Sequence, residues 1–184
     1  MSSDHPIEDP SQPTDQPLDD PDLPGLIHER GEALLEGLSE HEPGSLERAD
    51  AAGAYALATA VGLGFGRLEA ELCRETARLA DVGKLYVSGE DHHEAGAQLA
   101  RGAGVPEVAC EWILGLSERY DGTGPASLSG SEIPVFSRII RAAKRCDEFV
   151  VGGSEPAELR ALAGTELDPA MVDALATMLE RTTP

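Results

Sequence analysis

Between two apolar helical patterns stands the stretch "SERYDGTGPASLSG", residues 117 to 130. Glu118, Arg119 and Asp121 fall within it among glycines and serines, and charged groups on a tight loop between helices are what the wall of an active site needs. Asp-Gly and Thr-Gly, at 121 to 124, permit the positive φ of tight turns, so the loop has a scaffold reason to exist as well. Upstream, His92 and His93 stand side by side. Neighbours on a helix point about 100° apart, which argues against both reaching one ion. His93 is accordingly expected to face solvent and His92 to bond Asp81 or backbone. His5, His28 and His41 have no partner at a useful spacing.

The elements that must position these residues are helical. From Leu26 onward the apolar spacing predicts helices at about 26 to 42, 46 to 62, 67 to 82, 91 to 103, 105 to 118, 134 to 150, 155 to 163 and 168 to 181. Nothing alternates with period two, so the fold class is all-α. On the 134 to 150 helix, Val135, Phe136, Ile139, Ile140, Ala143, Cys146 and Phe149 share one arc, with Asp147 inside it and Lys144 at its edge. Lys144 and Asp147, three apart, are spaced to pair. Arg138, Arg141 and Arg145 project to the other side and read as a solvated face.

Residues 1 to 24 hold six prolines and seven acids without a Lys or Arg. Such a segment buries too little apolar surface to offset its chain entropy, and it is expected to be a disordered acidic tail before a domain spanning 25 to 184. The formal net charge of -20 argues against general nucleic-acid binding and against docking on an anionic membrane, so an anionic ligand needs a local basic pocket. Cys73, Cys110 and Cys146 are unpaired by spacing and read as buried thiols of a cytoplasmic protein. No run is long enough to cross a bilayer. Trp112 is expected in the core or at a subunit contact.

Five phrases fall into order around the loop: "LADVGKL" (79 to 85), "HHEAGAQL" (92 to 99), the loop itself, "EIPVFSRIIRAAKRCDEF" (132 to 149) and "LRALAGTELDPAMVDAL" (159 to 175). Together they resemble the HD-GYP family, the branch of the HD metal-dependent phosphohydrolases whose active members hydrolyse cyclic di-GMP. The resemblance runs from about residue 45 to 180 and implies an HD-domain-like helical bundle. It also implies a metal site built from histidines and aspartates, and here this chain departs from the pattern. Ser45-Leu46 stand where a first His is expected, Ala80-Asp81 replace the His-Asp pair, and Leu116-Ser117 replace a His-His pair. Lys144 replaces the late Asp, Asp147 remains, and the signature tripeptide is reduced to Gly124-Pro125. Asp81 and His92 are left as vestigial metal-site positions.

A catalytic ion needs about three protein ligands plus a site for water. Two are too few, so the expectation is no metal, no cofactor and no catalysis: a pseudoenzyme. Lys144 is expected to replace the lost metal as counter-ion to Asp81, since an unpartnered buried carboxylate costs several kcal/mol. The resemblance further places Lys84 and Arg119 near a substrate phosphate, which makes Lys84, Arg119, Asp121 and Lys144 the candidate ligand-binding set. The leading expectation is a bacterial signalling domain that binds a protein partner, such as a diguanylate cyclase, or forms a homodimer. A non-hydrolysing sensor of cyclic di-GMP or another nucleotide is the first alternative. A residual metal-dependent phosphodiesterase is the second.

Overall fold

A computed structural model describes residues 18 to 89, 92 to 153 and 156 to 182. The expected tail lies mostly outside the described residues. Within them the chain is helical, with no strand and a single isolated bridge between Ala163 and Leu167. The elements are α1 (Leu23–His41), α2 (Ser45–Gly62), α3 (Arg67–Arg78), a 3-10 turn (Val82–Leu85), α4 (His92–Gly102), α5 (Glu107–Leu114), α6 (Val135–Gly152), α7 (Pro156–Arg160) and α8 (Pro169–Thr182). Two further 3-10 turns, Gly115–Ser117 and Gly130–Glu132, flank the charged loop.

Local chemistry sets the helix ends. Pro24 opens the first turn of α1, where its missing N–H costs nothing. Gly44, at φ +85°, makes the corner into α2. The Glu69 carboxylate accepts the Gly66 N–H at 2.8 Å and caps α3. Gly153, at φ +70°, ends α6 in a left-handed cap.

Helices α2, α3 and α6 form the centre, and α1 crosses α3 on one side. Ile27, Gly31, Leu35 and Leu38 make the buried stripe of α1 at helical spacing. Leu72, Cys73, Ile113, Leu116, Ile139, Ile140 and Cys146 are fully buried around the middle. Each Leu or Ile hidden this way contributes about 1.5–3 kcal/mol relative to exposure. Trp112 belongs to this core, its ring 4.4 Å from that of Phe136. The three cysteines are free and buried, and burial pushes the Cys146 thiol up to about 12.

Arg78 ties α1, α2 and α3 together. Its Nε donates to Asp50 Oδ1 at 2.8 Å, and Nη1 donates to Glu75 Oε2 at 3.1 Å and His28 Nδ1 at 2.8 Å. Glu32 completes the ring at 3.4 Å. No described helix is long and apolar enough to cross a membrane.

Candidate metal and phosphate site

Asp81 follows α3 after Leu79 and Ala80, and the 3-10 turn after it presses against the first turn of α4. Gly83 makes this approach possible: a Cβ there would lie 1.7 Å from the His92 carbonyl oxygen and 2.6 Å from the Gly96 nitrogen. The contact delivers His92 Nε2 to 3.0 Å from Asp81 Oδ1.

His92 Nδ1 bonds to the Gly89 carbonyl. A carbonyl only accepts, so the ring proton belongs on Nδ1 and a neutral His92 turns the Nε2 lone pair toward Asp81. Lys144 Nζ bonds Asp81 Oδ1, and Lys84 Nζ lies 3.2 Å from Oδ2. Burial alone would raise the Asp81 pKa, but the His92 contact and the two ammonium groups outweigh it and hold the carboxyl far below the usual range. Burial pulls the Lys144 pKa down, and its attraction to Asp81 offsets that only in part.

His93 is buried, against the expectation that it faces solvent. Its ring lies 3.9 Å from that of His92, Nδ1 is 3.3 Å from Ser117 Oγ, and Nε2 is buried without a hydrogen-bond partner. Burial, reinforced by the Lys144 charge, pushes its pKa down to about 2, so the ring is neutral. A helical wheel takes no account of neighbouring elements: the 3-10 turn at 115 to 117 packs against α4, and Ser117 stands beside His93 and helps bury it.

Asp81, His92 and His93 each offer one ligand atom, all within 4.8 Å of one another. Two neutral imidazoles and one carboxylate suit Mn²⁺, Fe²⁺ or Zn²⁺. The His93 Nε2, buried without a hydrogen-bond partner, fits this donor set, since a metal ion would satisfy it. The expectation of too few ligands for an ion is thereby corrected; the missing third donor is His93.

A cleft of about 210 Å³ opens in front of the triad, lined by His92, His93, Ser117, Arg141, Lys144, Arg145 and Glu166 among others. Arg141 and Arg145 thus line the site instead of forming a solvated face, and Arg138 pairs with Asp168. The turn at 161 to 168 covers that side of α6, a tertiary contact that no pattern within α6 announces. Asp147 is buried, and Lys144 turns to Asp81 rather than to it.

The charged loop is braced from within. Glu118 is buried and accepts the Ala126 and Leu128 N–H groups at 2.8 and 3.1 Å. Asp121 accepts the Thr123 N–H at 3.1 Å and lies 3.4 Å from Arg119 Nη2. Arg119 reaches the cleft through Glu166, at 3.7 Å. Of the expected set, Lys84, Lys144, Asp81 and His92 meet directly. Arg119 stands at the rim, and Asp121 does not line the cleft.

The fold is that of solved HD phosphodiesterases. A cyclic GMP-AMP specific phosphodiesterase from V. cholerae, V-cGAP3, superposes with a TM-score of 0.68 at 20% identity over 87% of this chain and 49% of that one. The HDG"Y"P protein Bd1817 from Bdellovibrio bacteriovorus gives 0.64 at 17% identity over 74% of this chain and 52% of that one. The HD domain of the L. monocytogenes phosphodiesterase PgpH, solved in complex with cyclic-di-AMP, gives 0.59 at 18% identity over 82% of this chain and 97% of that one. This chain thus spans about half the length of the first two. No curated protein matches it in sequence. V-cGAP3 and PgpH are phosphodiesterases by name and a metal-capable triad is present here, so the expectation of a non-enzyme is overturned. The HD domain model matches residues 45 to 148, more than half of the 184, and the chain belongs to the HD domain family.

Proposed function

We propose that the domain is a metal-dependent phosphodiesterase acting on a cyclic nucleotide, with one divalent ion held by Asp81, His92 and His93. The observation that carries this reading is the cluster of Asp81, His92 and His93, whose ligand atoms lie within 4.8 Å of one another, beside a buried His93 Nε2 that has no hydrogen-bond partner. When bound, the ion would lower the pKa of a coordinated water from near 15.7 toward 7 and offset charge on the phosphoryl oxygens. The protein's own groups do the rest. His92 is oriented by the Gly89 carbonyl, and Ser117 steadies His93. Lys84 and Lys144 stand where a phosphodiester's negative charge needs partners, and Lys144 must release Asp81 for the ion to bind. Five of the chain's 14 Lys and Arg residues, Lys84, Arg119, Arg141, Lys144 and Arg145, gather at or beside this cleft. They form a local basic pocket on a strongly acidic protein, as an anionic ligand requires. Structural neighbours named for cyclic GMP-AMP and solved with cyclic-di-AMP support a cyclic dinucleotide as ligand.

Manganese binding by calorimetry, run beside hydrolysis of cyclic di-AMP, cyclic GMP-AMP and cyclic di-GMP, tests the reading. Wild type should bind one Mn²⁺ and cleave at least one of the three, and His93→Ala should weaken the ion about 10- to 100-fold or more. A wild-type protein that binds neither Mn²⁺, Fe²⁺ nor Zn²⁺ would remove the proposal.

A further inference from the structure

Three guanidinium groups converge on one carboxylate at the wall of the cleft. Glu166, buried in the turn between α7 and α8, receives Arg145 Nε at 2.6 Å and Arg141 Nη2 at 3.2 Å on Oε1. On Oε2 it receives Arg145 Nη2 at 3.0 Å, with Arg119 Nη1 at 3.7 Å. Arg141 and Arg145 are one turn apart on α6 and share a face. Arg119 comes from the charged loop. That loop also holds the turn: the Tyr120 N–H donates to the Glu166 carbonyl at 3.3 Å and the Asp121 N–H to the Thr165 carbonyl at 2.9 Å.

One carboxylate engages one guanidinium fork fully, and Arg145 already supplies that fork. Drawing two more arginines onto the same two oxygens gains little against the cost of desolvating them. Donors arrayed around a single anion from two directions match a phosphate, with its larger charge and its additional acceptor oxygens. Of the other acidic partners of these arginines, Glu148, on Arg145, lines the cleft but is half-exposed, and Asp121, on Arg119, does not line it. Among the described residues, Glu166 is the acid that all three arginines approach.

We propose that Arg119, Arg141 and Arg145 form an anion site separate from the Asp81–His92–His93 triad. Glu166 occupies it in the ligand-free protein, and a phosphate group of the ligand takes it over by displacing that carboxylate. The inference rests on the reading of the cleft as a phosphodiester site and deepens it. A ligand with two phosphates, one at the triad and one at the arginines, uses the whole cleft, whereas a ligand with one leaves Glu166 in place. Ligand choice then depends on a competition between an internal carboxylate and the second phosphate.

The test uses inorganic phosphate as probe, titrated calorimetrically at constant ionic strength in the presence of a chelator. Glu166→Gln should bind phosphate about tenfold tighter than wild type or better, and adding Arg145→Gln should abolish the gain. A folded Glu166→Gln protein that binds phosphate no tighter than wild type overturns the proposal. Should that variant not fold, Glu166→Asp keeps the charge but shortens its reach; a several-fold gain is expected, and none overturns the idea. In the wild-type protein, saturating phosphate should speed hydrogen exchange at the Tyr120 and Asp121 amides, which donate to the displaced turn, relative to chloride at equal ionic strength. Unchanged exchange counts against the proposal. With chelator present and no nucleotide, failure of the metal reading leaves these results intact.

Discussion

Lys144 and a divalent ion compete for the same carboxylate oxygen. The ammonium group sits on Asp81 Oδ1, the atom that a metal shared with His92 would claim. Replacing Lys144 with Met keeps the apolar stem and removes the competitor, so Lys144→Met should raise Mn²⁺ affinity about tenfold or more, read by calorimetry. No change would mean that the ammonium does not oppose the ion. Glu166 carries a second residue-scale prediction. Burial raises its pKa, but the hydrogen bonds and charges of Arg145, Arg141 and Arg119 outweigh that and leave it below the usual value. The unfolded chain therefore binds the proton more readily than the native one. The contribution is complete above the unfolded value of about 4.3 and is lost as pH falls through the lower native pKa. Urea midpoints should decline across that acid window, and more shallowly in Glu166→Gln. Much at this scale was legible in the sequence, because ordered motifs fix which residues share a cavity: Asp81, Lys84, His92 and Lys144 do meet. His93, Arg141 and Arg145 were misread because a helical wheel describes a free helix. His93 sits beside the 3-10 turn that carries Ser117, and the two arginines sit under a covering turn.

At the scale of elements, the decisive contact is glycine against helix. The 3-10 turn meets α4 where Gly83 faces the His92 carbonyl, and no side chain fits between them. Gly83→Ala should push the two apart, costing at least about 3 kcal/mol of stability by chemical denaturation and separating Asp81 from His92. A folded, fully stable Gly83→Ala protein with unaltered metal binding would show that the contact is dispensable. Helix number and order were readable from apolar spacing, since burial of a stripe imposes its period on the residues. The ends were less readable. The pattern over 67 to 82 continues past Arg78, where α3 stops and Asp81 begins the turn that the site needs. The run over 105 to 118 likewise gives way to a 3-10 turn at Gly115. Both departures place a functional residue, Asp81 or Ser117, outside regular helix.

For the whole molecule, charge is the governing quantity. A net charge of -20 repels itself, while the basic residues gathered at the cleft attract anions. Raising NaCl from about 20 to about 200 mM shortens the Debye length by about threefold and should act in opposite directions on the two. The melting temperature should rise as self-repulsion is screened, and phosphate affinity should fall. Parallel movement of both would mean that the cleft does not behave as a separate electrostatic region.

The Arg78 ring sets one more limit. The HD domain model begins its match at residue 45, the first of α2, yet His28 and Glu32 on α1 supply half of that ring, and Gly31 gives Leu79 its seat. A fragment trimmed to the matched stretch would strip the lid from a greasy seam and strand a guanidinium beneath it. The piece that stands alone should therefore be larger than the stretch that the HD domain model matches, and anyone transplanting this module should carry the leading helix with it.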